Sequence, residues 1–243
     1  MKKLALTIVC AVAITGGVAF AQGTIAYTVI SPAGFTVQTN ANFYSPLFGG
    51  GATSTSGQGK TAITHAGFYY ELLYNTAFNE AQVAGTSAPS NSYAALFSTS
   101  SPWLDATLSA TNAGSLGLTG PIAPSAAATV PWERPTTNNI IMVGWSSSLG
   151  TSWSVVAGEL QNWATVQGNF SSQNNFFGVS AAGWIYPATG SPGATIFNGS
   201  PNGAGLPINS LLTQLYLLPV PEPSTMVLVG LGGLSLLLFR RRK

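Results

Sequence analysis

The chain has 243 residues, of which 46% are hydrophobic and only 6% are charged, and its formal net charge at pH 7 is +2. Residues 22–219 contain two cations and five anions, which is too few cations to neutralise the phosphates of a nucleic acid and excludes that class of partner. The only cysteine, Cys10, lies near the N-terminus, so the rest of the chain forms no disulfide and has no thiol chemistry.

The first 21 residues have the parts of a secretory signal peptide. Two lysines follow the first methionine, Leu4–Ile14 is nearly continuous apolar sequence, and Ala19 and Ala21 form a small-x-small cleavage site. The apolar run is too short to span a bilayer comfortably, which favours a cleaved signal helix over a permanent anchor. We therefore predict signal peptide 1–21, followed by an exported body over residues 22–219.

The body is divided into short segments by Gly, Ser, Thr, Asn and Pro, a pattern typical of strands and turns. Apolar and polar residues alternate in its first part, at Ile25–Val29 and at Phe35–Gln38. Aromatic and β-branched runs then predict six further strands, at Gly67–Tyr74, Tyr93–Ser98, Ile140–Ser146, Asn175–Val179, Trp184–Tyr186 and Thr213–Leu218. Gly49–Gly59 predicts a flexible loop, and Ala110–Pro131 predicts a long connection or irregular edge.

One stretch has helical rather than strand periodicity. Trp153, Val156, Leu160 and Trp163 recur at spacings of three and four residues and form one apolar stripe. The stripe predicts one short helix over Thr151–Trp163 that covers an open end or face of a sheet.

Many short strands with one helix favour an all-β sandwich, with a jelly roll as one option. A right-handed β-helix is the main rival, but it requires a repeat of fixed period, and the sequence contains none. A porin-like barrel requires alternating strands of about ten residues, and the segments here are shorter.

Candidate catalytic residues are sparse. His65 and Asp105 are the only histidine and aspartate, and no G-x-S-x-G motif supplies a serine nucleophile for them. Two glutamates could hydrolyse a glycoside, but sequence spacing does not place any two of the body's four, Glu71, Glu80, Glu133 and Glu159, across a cleft. Neither zinc-ligand spacing nor a calcium-loop motif is present, and we predict no metal and no cofactor.

All six tryptophans lie in the body, where aromatic faces could stack on sugar rings. Trp145 and Trp153 follow core-like patterns and are predicted to be buried. Trp103 and Trp132 each adjoin a proline in a predicted loop, which makes them the candidate sugar-binding residues.

The C-terminal segment 220–243 has three parts. Pro221, Glu222 and Pro223 come first, and the uncharged run Thr225–Phe239 follows. As a helix this run would be about 22 Å long, somewhat short of the bilayer core of about 30 Å, so we predict a marginal transmembrane helix. The chain ends in four cations that would stop transfer and stay on the cytoplasmic side: Arg240, Arg241, Arg242 and Lys243.

This order resembles the PEP-CTERM sorting signal of Gram-negative bacteria, which is also labelled the ice-binding protein C-terminal domain. The resemblance covers about a tenth of the chain. It implies that exosortase, a membrane protease or transpeptidase, recognises Pro221, Glu222 and Pro223 and removes the helix and basic tail. The protein would then pass from a transient membrane anchor to the cell surface or the extracellular matrix.

The body has no such signature of activity. We expect an exported structural or adhesive protein that is a substrate rather than an enzyme, with extracellular polysaccharide as a candidate partner. A carbohydrate-binding module is the first alternative, and a glycoside hydrolase is a weaker one.

Overall fold

The computed structural model describes residues 22–26, 37–48, 67–77, 95–113, 117–119, 128–189, 193–197, 205–206, 208 and 213–220. Three predicted features lie outside these residues: the signal peptide 1–21, the loop Gly49–Gly59 and the apolar run Thr225–Phe239. Within the described ranges, no helix combines the length and apolar content needed to cross a membrane.

The described residues form twelve strands and two short α-helices, which confirms the prediction of a mostly β fold. The strands are β1 Gln22–Ala26, β2 Val37–Tyr44, β3 Phe68–Asn75, β4 Trp103–Ala113, β5 Gly117–Thr119, β6 Ala128–Glu133, β7 Asn138–Ser146, β8 Phe176–Val179, β9 Gly183–Ile185, β10 Ala194–Thr195, β11 Gly205–Leu206 and β12 Thr213–Leu217. The helices are α1 Trp153–Gln161 and α2 Trp163–Val166, and short 3-10 turns include Pro46–Phe48, Ser147–Leu149 and Gln167–Phe170.

These strands form two sheets. The small sheet has the order β10-β1-β6, and the large sheet contains nine strands with the main order β2-β12-β8-β7-β3-β4-β5. The remaining two strands join its side, where β9 pairs with β7 and β11 pairs with β9. Two of the strand pairs, β1–β10 and β2–β12, are parallel, and this departs from the predicted jelly-roll option because a jelly roll is built from antiparallel strands.

Strand β7 lies at the centre of the large sheet and is buried along its whole length. Its run of apolar residues is typical of a strand that is covered on both faces. Successive side chains of a strand point to opposite faces, so the residues of β7 divide between two separate cores. Ile140 and Met142 enter the first core, whereas Ile141, Val143 and Trp145 enter the second.

The first core lies between the two sheets. Side chains from the small sheet meet side chains from the large sheet here: Ile25, Val130, Trp132 and Ala194 from the former, and Phe68, Tyr70, Leu72, Leu108 and Leu215 from the latter. This packing is the two-layer arrangement that the sequence predicts. Each sheet thereby removes one apolar face from water, which is the main driving force of such a fold.

The second core lies between the large sheet and the helical segment 147–170. The predicted stripe Trp153, Val156, Leu160 and Trp163 is buried there, against Val143, Trp145, Phe177 and Val179 of the sheet. The helix prediction is therefore confirmed, and the helices cover the face of the large sheet that the small sheet leaves uncovered. The stripe also continues beyond its predicted end, because α2 follows α1 after a single residue, Asn162.

Two predicted segments are different in the structure. Residues 95–97, within the predicted strand Tyr93–Ser98, form a 3-10 turn that is closed by the hydrogen bond from Ser98 N–H to Ala95 O. Ala110–Pro131, predicted as a long connection or irregular edge, contains the end of β4, most of β6 and all of β5, which is an edge strand of the large sheet. The sequence did not predict these strands because they are rich in Ala, Ser and Thr. Such small side chains give little of the apolar alternation on which strand prediction depends.

Candidate functional site at the C-terminal junction

The last described residues, Leu218–Val220, leave strand β12 and run directly to the predicted recognition element. The backbone N–H of Leu218 donates to the carbonyl oxygen of Asn175 at 2.8 Å. The Leu218 side chain is buried in the second core, and Val220 packs against the same core. The chain is thus held by the body for three residues beyond its last strand.

Trp163 makes the second contact with this segment. Its indole Nε1–H donates to the carbonyl oxygen of Pro219 at 2.8 Å. The Trp163 ring stacks on Phe170, with ring centroids 5.4 Å apart and planes at 25°, and meets the edge of Phe48 at 6.2 Å. These aromatic contacts fix the ring in place, so the position of its N–H group is fixed as well.

Asn175 supports the junction from the other side. Its side chain is buried, and its Nδ2 donates to the carbonyl oxygens of Phe170 and Gln173, each at 2.9 Å. Its Oδ1 accepts a hydrogen bond from Ser148 Oγ at 2.5 Å. The amide therefore ties both ends of the helical segment together and holds the carbonyl that receives the Leu218 N–H. We call Trp163, Asn175 and the held segment Leu218–Val220 the junction clamp.

A second notable site is a pair of carboxyl groups on adjacent strands. Glu71 on β3 is buried, with only 5% of its surface exposed, and it forms a hydrogen bond with Asp105 on β4. Burial is the main cause that raises the pKa of Glu71 from 4.5 to about 8. The negative charge of Asp105 and the hydrogen bond contribute to the same rise, while a backbone hydrogen bond from Leu108 lowers the pKa. With a pKa of about 8, the Glu71 carboxyl is mostly protonated at neutral pH.

An irregularity in strand β4 brings the two carboxyl groups together. Leu73 pairs with Asp105 and Glu71 pairs with Ser109, so β4 uses two more residues than β3 over this interval. Thr107 lies in the resulting bulge with a φ of 57°, and its N–H donates to Asp105 Oδ1 at 2.6 Å. Sequence spacing did not reveal the pair, because a bulge of this kind leaves no periodic signal. Directly bonded carboxyls are also closer than the separation of about 5 Å or more that glycosidases use.

The predicted exposure of Trp103 and Trp132 is wrong. Both side chains are buried, at 8% and 7% exposure, because each lies on a strand rather than in a loop. Trp103 enters the second core, and Trp132 enters the first core and stacks on Tyr74 with ring centroids 4.7 Å apart. The sugar-binding hypothesis therefore loses the two flat surfaces on which it was based. Trp145 and Trp153 are buried, as predicted.

Several other predicted residues lie outside the described ranges. They are the cleavage-site residues Ala19 and Ala21, His65, Glu80, the recognition residues Pro221, Glu222 and Pro223, and the basic end Arg240, Arg241, Arg242 and Lys243. Of the other glutamates, Glu133 ends strand β6 and pairs with Gln22, and Glu159 lies on α1. In the part of the chain that the structure describes, no group of three or more His, Cys, Asp or Glu side chains is arranged to hold a metal ion.

Comparison with known proteins identifies the segment that the junction clamp leads into. Residues 219–243 match the family model described as the PEP-CTERM protein-sorting motif. The match confirms the resemblance drawn from the sequence, and it begins at Pro219, the residue whose carbonyl Trp163 holds. No curated protein and no solved structure matches the chain. The motif supports a protein that is exported and then processed by exosortase.

Proposed function

We propose that this chain is a structural or adhesive protein of the cell surface or extracellular matrix, delivered there through its C-terminal sorting signal. The observation that carries the proposal is the match of residues 219–243 to the sorting motif. In this role the body is the cargo, and exosortase is the partner that acts on Pro221, Glu222 and Pro223.

The route follows from the order of the segments. The signal peptide starts export across the inner membrane, and cleavage after Ala21 releases the new N-terminus. The run Thr225–Phe239 then holds the protein in the membrane with the four terminal cations on the cytoplasmic side. A span of about 22 Å is marginal for a permanent anchor, which suits a tether that is removed later.

The composition of the body suits a cargo that must persist outside the cell. It contains few charges and no cysteine, and two separate cores bury most of the large apolar residues that the structure describes. The described part of the body is stabilised mainly by apolar packing, and without cysteine it forms no disulfide that a change in redox conditions could break.

The two alternatives lack a comparable observation among the described residues. Carbohydrate binding was based on exposed Trp103 and Trp132, and both are buried. Glycoside hydrolysis requires two carboxyls separated across a cleft, whereas Glu71 and Asp105 bond directly to each other. A polysaccharide-binding assay on the full exported protein tests the first alternative directly.

Processing can be followed by mass spectrometry of the full chain in cells with and without exosortase. We expect the surface form to lack Arg240–Lys243 when exosortase is present and to keep these residues when it is absent. A matched variant, Glu222→Gln, keeps the length and hydrophobicity of the signal but removes its acidic centre, and we expect it to be processed more slowly. Retention of the basic end in both strains would show that the sorting proposal is wrong.

A further inference from the structure

The junction clamp has a consequence for processing, and this inference rests on the proposed function. An enzyme that binds an extended peptide as a strand holds it largely through main-chain N–H and C=O groups. In this protein the body already uses two such groups next to the recognition element: the Leu218 N–H, bonded to Asn175, and the Pro219 C=O, bonded to Trp163.

The local sequence makes these two groups especially important. Pro219 and Pro221 carry no backbone N–H, so this part of the chain has few donors for a partner to use. The side chains of this segment also contact the body, because Leu218 is buried and Val220 packs against the second core. An enzyme that approaches Pro221, Glu222 and Pro223 therefore meets the folded body immediately on their N-terminal side.

We propose that the junction clamp competes with the processing enzyme for the backbone of Leu218 and Pro219, and that Trp163 is the residue that sets the strength of this competition. The clamp confines recognition to the segment that begins after Val220. It also slows processing, since the enzyme must either release the held segment or do without contacts to it.

Trp163→Phe tests the proposal, because it removes the N–H donor and keeps an aromatic ring beside Phe170 and Phe48. Loss of one hydrogen bond from the competing state should raise the processing rate about fivefold, the factor that one typical net hydrogen bond represents. Processing is measured in cells that contain exosortase, as the rate at which the full chain loses its basic end.

Trp153→Phe is the matched control. Trp153 belongs to the same second core and is similarly buried, at 7% against 4% for Trp163, but its ring packs on Trp145 and Phe177 rather than on the junction. The same truncation there should leave the processing rate unchanged. If Trp153→Phe accelerates processing as much as Trp163→Phe, the effect is a general loosening of the core and the clamp proposal is wrong.

A linker adds a second, independent measurement. Insertion of Gly-Ser-Gly-Ser between Pro219 and Val220 gives the enzyme unbound backbone on the N-terminal side while Val220 stays beside the recognition element. The insertion should accelerate processing, and Trp163→Phe should then have no further effect, which is a non-additive double-mutant cycle. Equal effects of Trp163→Phe with and without the linker would overturn the proposal.

The two failures can be told apart. If the wild-type chain keeps its basic end in the presence of exosortase, the proposed function fails, and the clamp proposal fails with it. If the wild-type chain is processed but Trp163→Phe is processed at the same rate or more slowly, only the clamp proposal fails. Slower processing would mean that the body presents the signal to the enzyme rather than withholding it.

Discussion

The two faces of the large sheet are covered by different kinds of structure. The first face is covered by a small sheet whose strands β1, β6 and β10 come from distant parts of the chain. The second face is covered mainly by one continuous helical segment, residues 147–170, and the path to the sorting signal runs along it. A cover made of one segment can hold a terminus precisely, because its residues are positioned by their own local hydrogen bonds.

The indole groups of the two cores show the same contrast. On the second face, Trp145 Nε1–H donates to Gly150 O and Trp163 Nε1–H donates to Pro219 O, each at 2.8 Å. On the first face, Trp132 Nε1 is buried and makes no hydrogen bond within the described structure. The Trp132 ring is thus held by burial and stacking, whereas Trp145 and Trp163 are also fixed by specific hydrogen bonds.

The largest expected effect comes from a change at the centre of the sheet. A Cβ atom added at Gly144 on β7 would lie 2.7 Å from the ring of Tyr70, which is fully buried in the first core. We expect Gly144→Val to lower the free energy of unfolding by about 3 kcal/mol or more, measured by chemical denaturation. Gly168→Val is the control, because nothing lies within 4 Å of its Cβ position, and it should cost less than about 1 kcal/mol.

The carboxyl pair should make stability depend on pH. The pKa of Glu71 is about 8 in the folded protein and 4.5 as its ordinary value, so the folded state binds more protons between these values. The contribution of Glu71 to the free energy of unfolding is therefore fully present below about pH 4.5 and is lost as the pH rises toward 8. We expect a loss on the order of 2–3 kcal/mol after allowance for solvent screening.

Denaturation curves between pH 4 and 9 measure this slope. Glu71→Gln removes the titrating group and should flatten the curve, while Asp105→Asn removes the negative charge that helps to raise the pKa of Glu71 and should move the slope to lower pH. An unchanged slope in Glu71→Gln would assign the pH dependence to other groups.

Much of this arrangement was predictable from sequence. Strands β3, β7, β8 and β12 and helix α1 carry dense apolar or aromatic patterns, and a periodic pattern identifies the faces of an element directly. Strands β4 and β6 do not: β4 is rich in Ala, Ser and Thr, and β6 contains Pro131. Trp103 and Trp132 were misplaced for the same reason, because an adjacent proline suggests a loop unless strand pairing is known.

The candidate site was predictable only in part. The sorting signal is recognisable because its order of motif, apolar run and basic end is linear in the sequence. The junction clamp joins Trp163 to Pro219 across 56 positions, and the carboxyl pair depends on a bulge with one residue at positive φ. Contacts of this kind follow from strand register and side-chain packing, which spacing along the chain does not encode.

A smaller effect on stability should distinguish the tryptophans on the two faces of the large sheet. Trp145→Phe leaves Gly150 O without its donor and loosens the ring contacts with Tyr69 and Trp153, so we expect a loss of about 2 kcal/mol. Trp132→Phe removes an N–H that makes no described hydrogen bond and keeps the stacking on Tyr74, so it should cost less than about 1 kcal/mol. The comparison is made by denaturant unfolding of both variants, and equal costs would contradict the contrast between the cores.

The smallest expected effect is a gain, in the helical cover itself. Gly158 lies in the middle of α1, and no atom lies within 4 Å of the position that a Cβ would take. Gly158→Ala should therefore raise stability by about 0.5–1 kcal/mol, through the helix propensity of alanine and a less flexible unfolded chain. The midpoint of denaturant unfolding measures the gain, with Gly168→Ala, outside the α-helices, as the control.

If the second face holds the junction through local contacts alone, Gly158→Ala should raise this midpoint and leave the rate of tail removal unchanged. A change in that rate would show instead that the strength of the whole helical cover governs how firmly Leu218–Val220 are held.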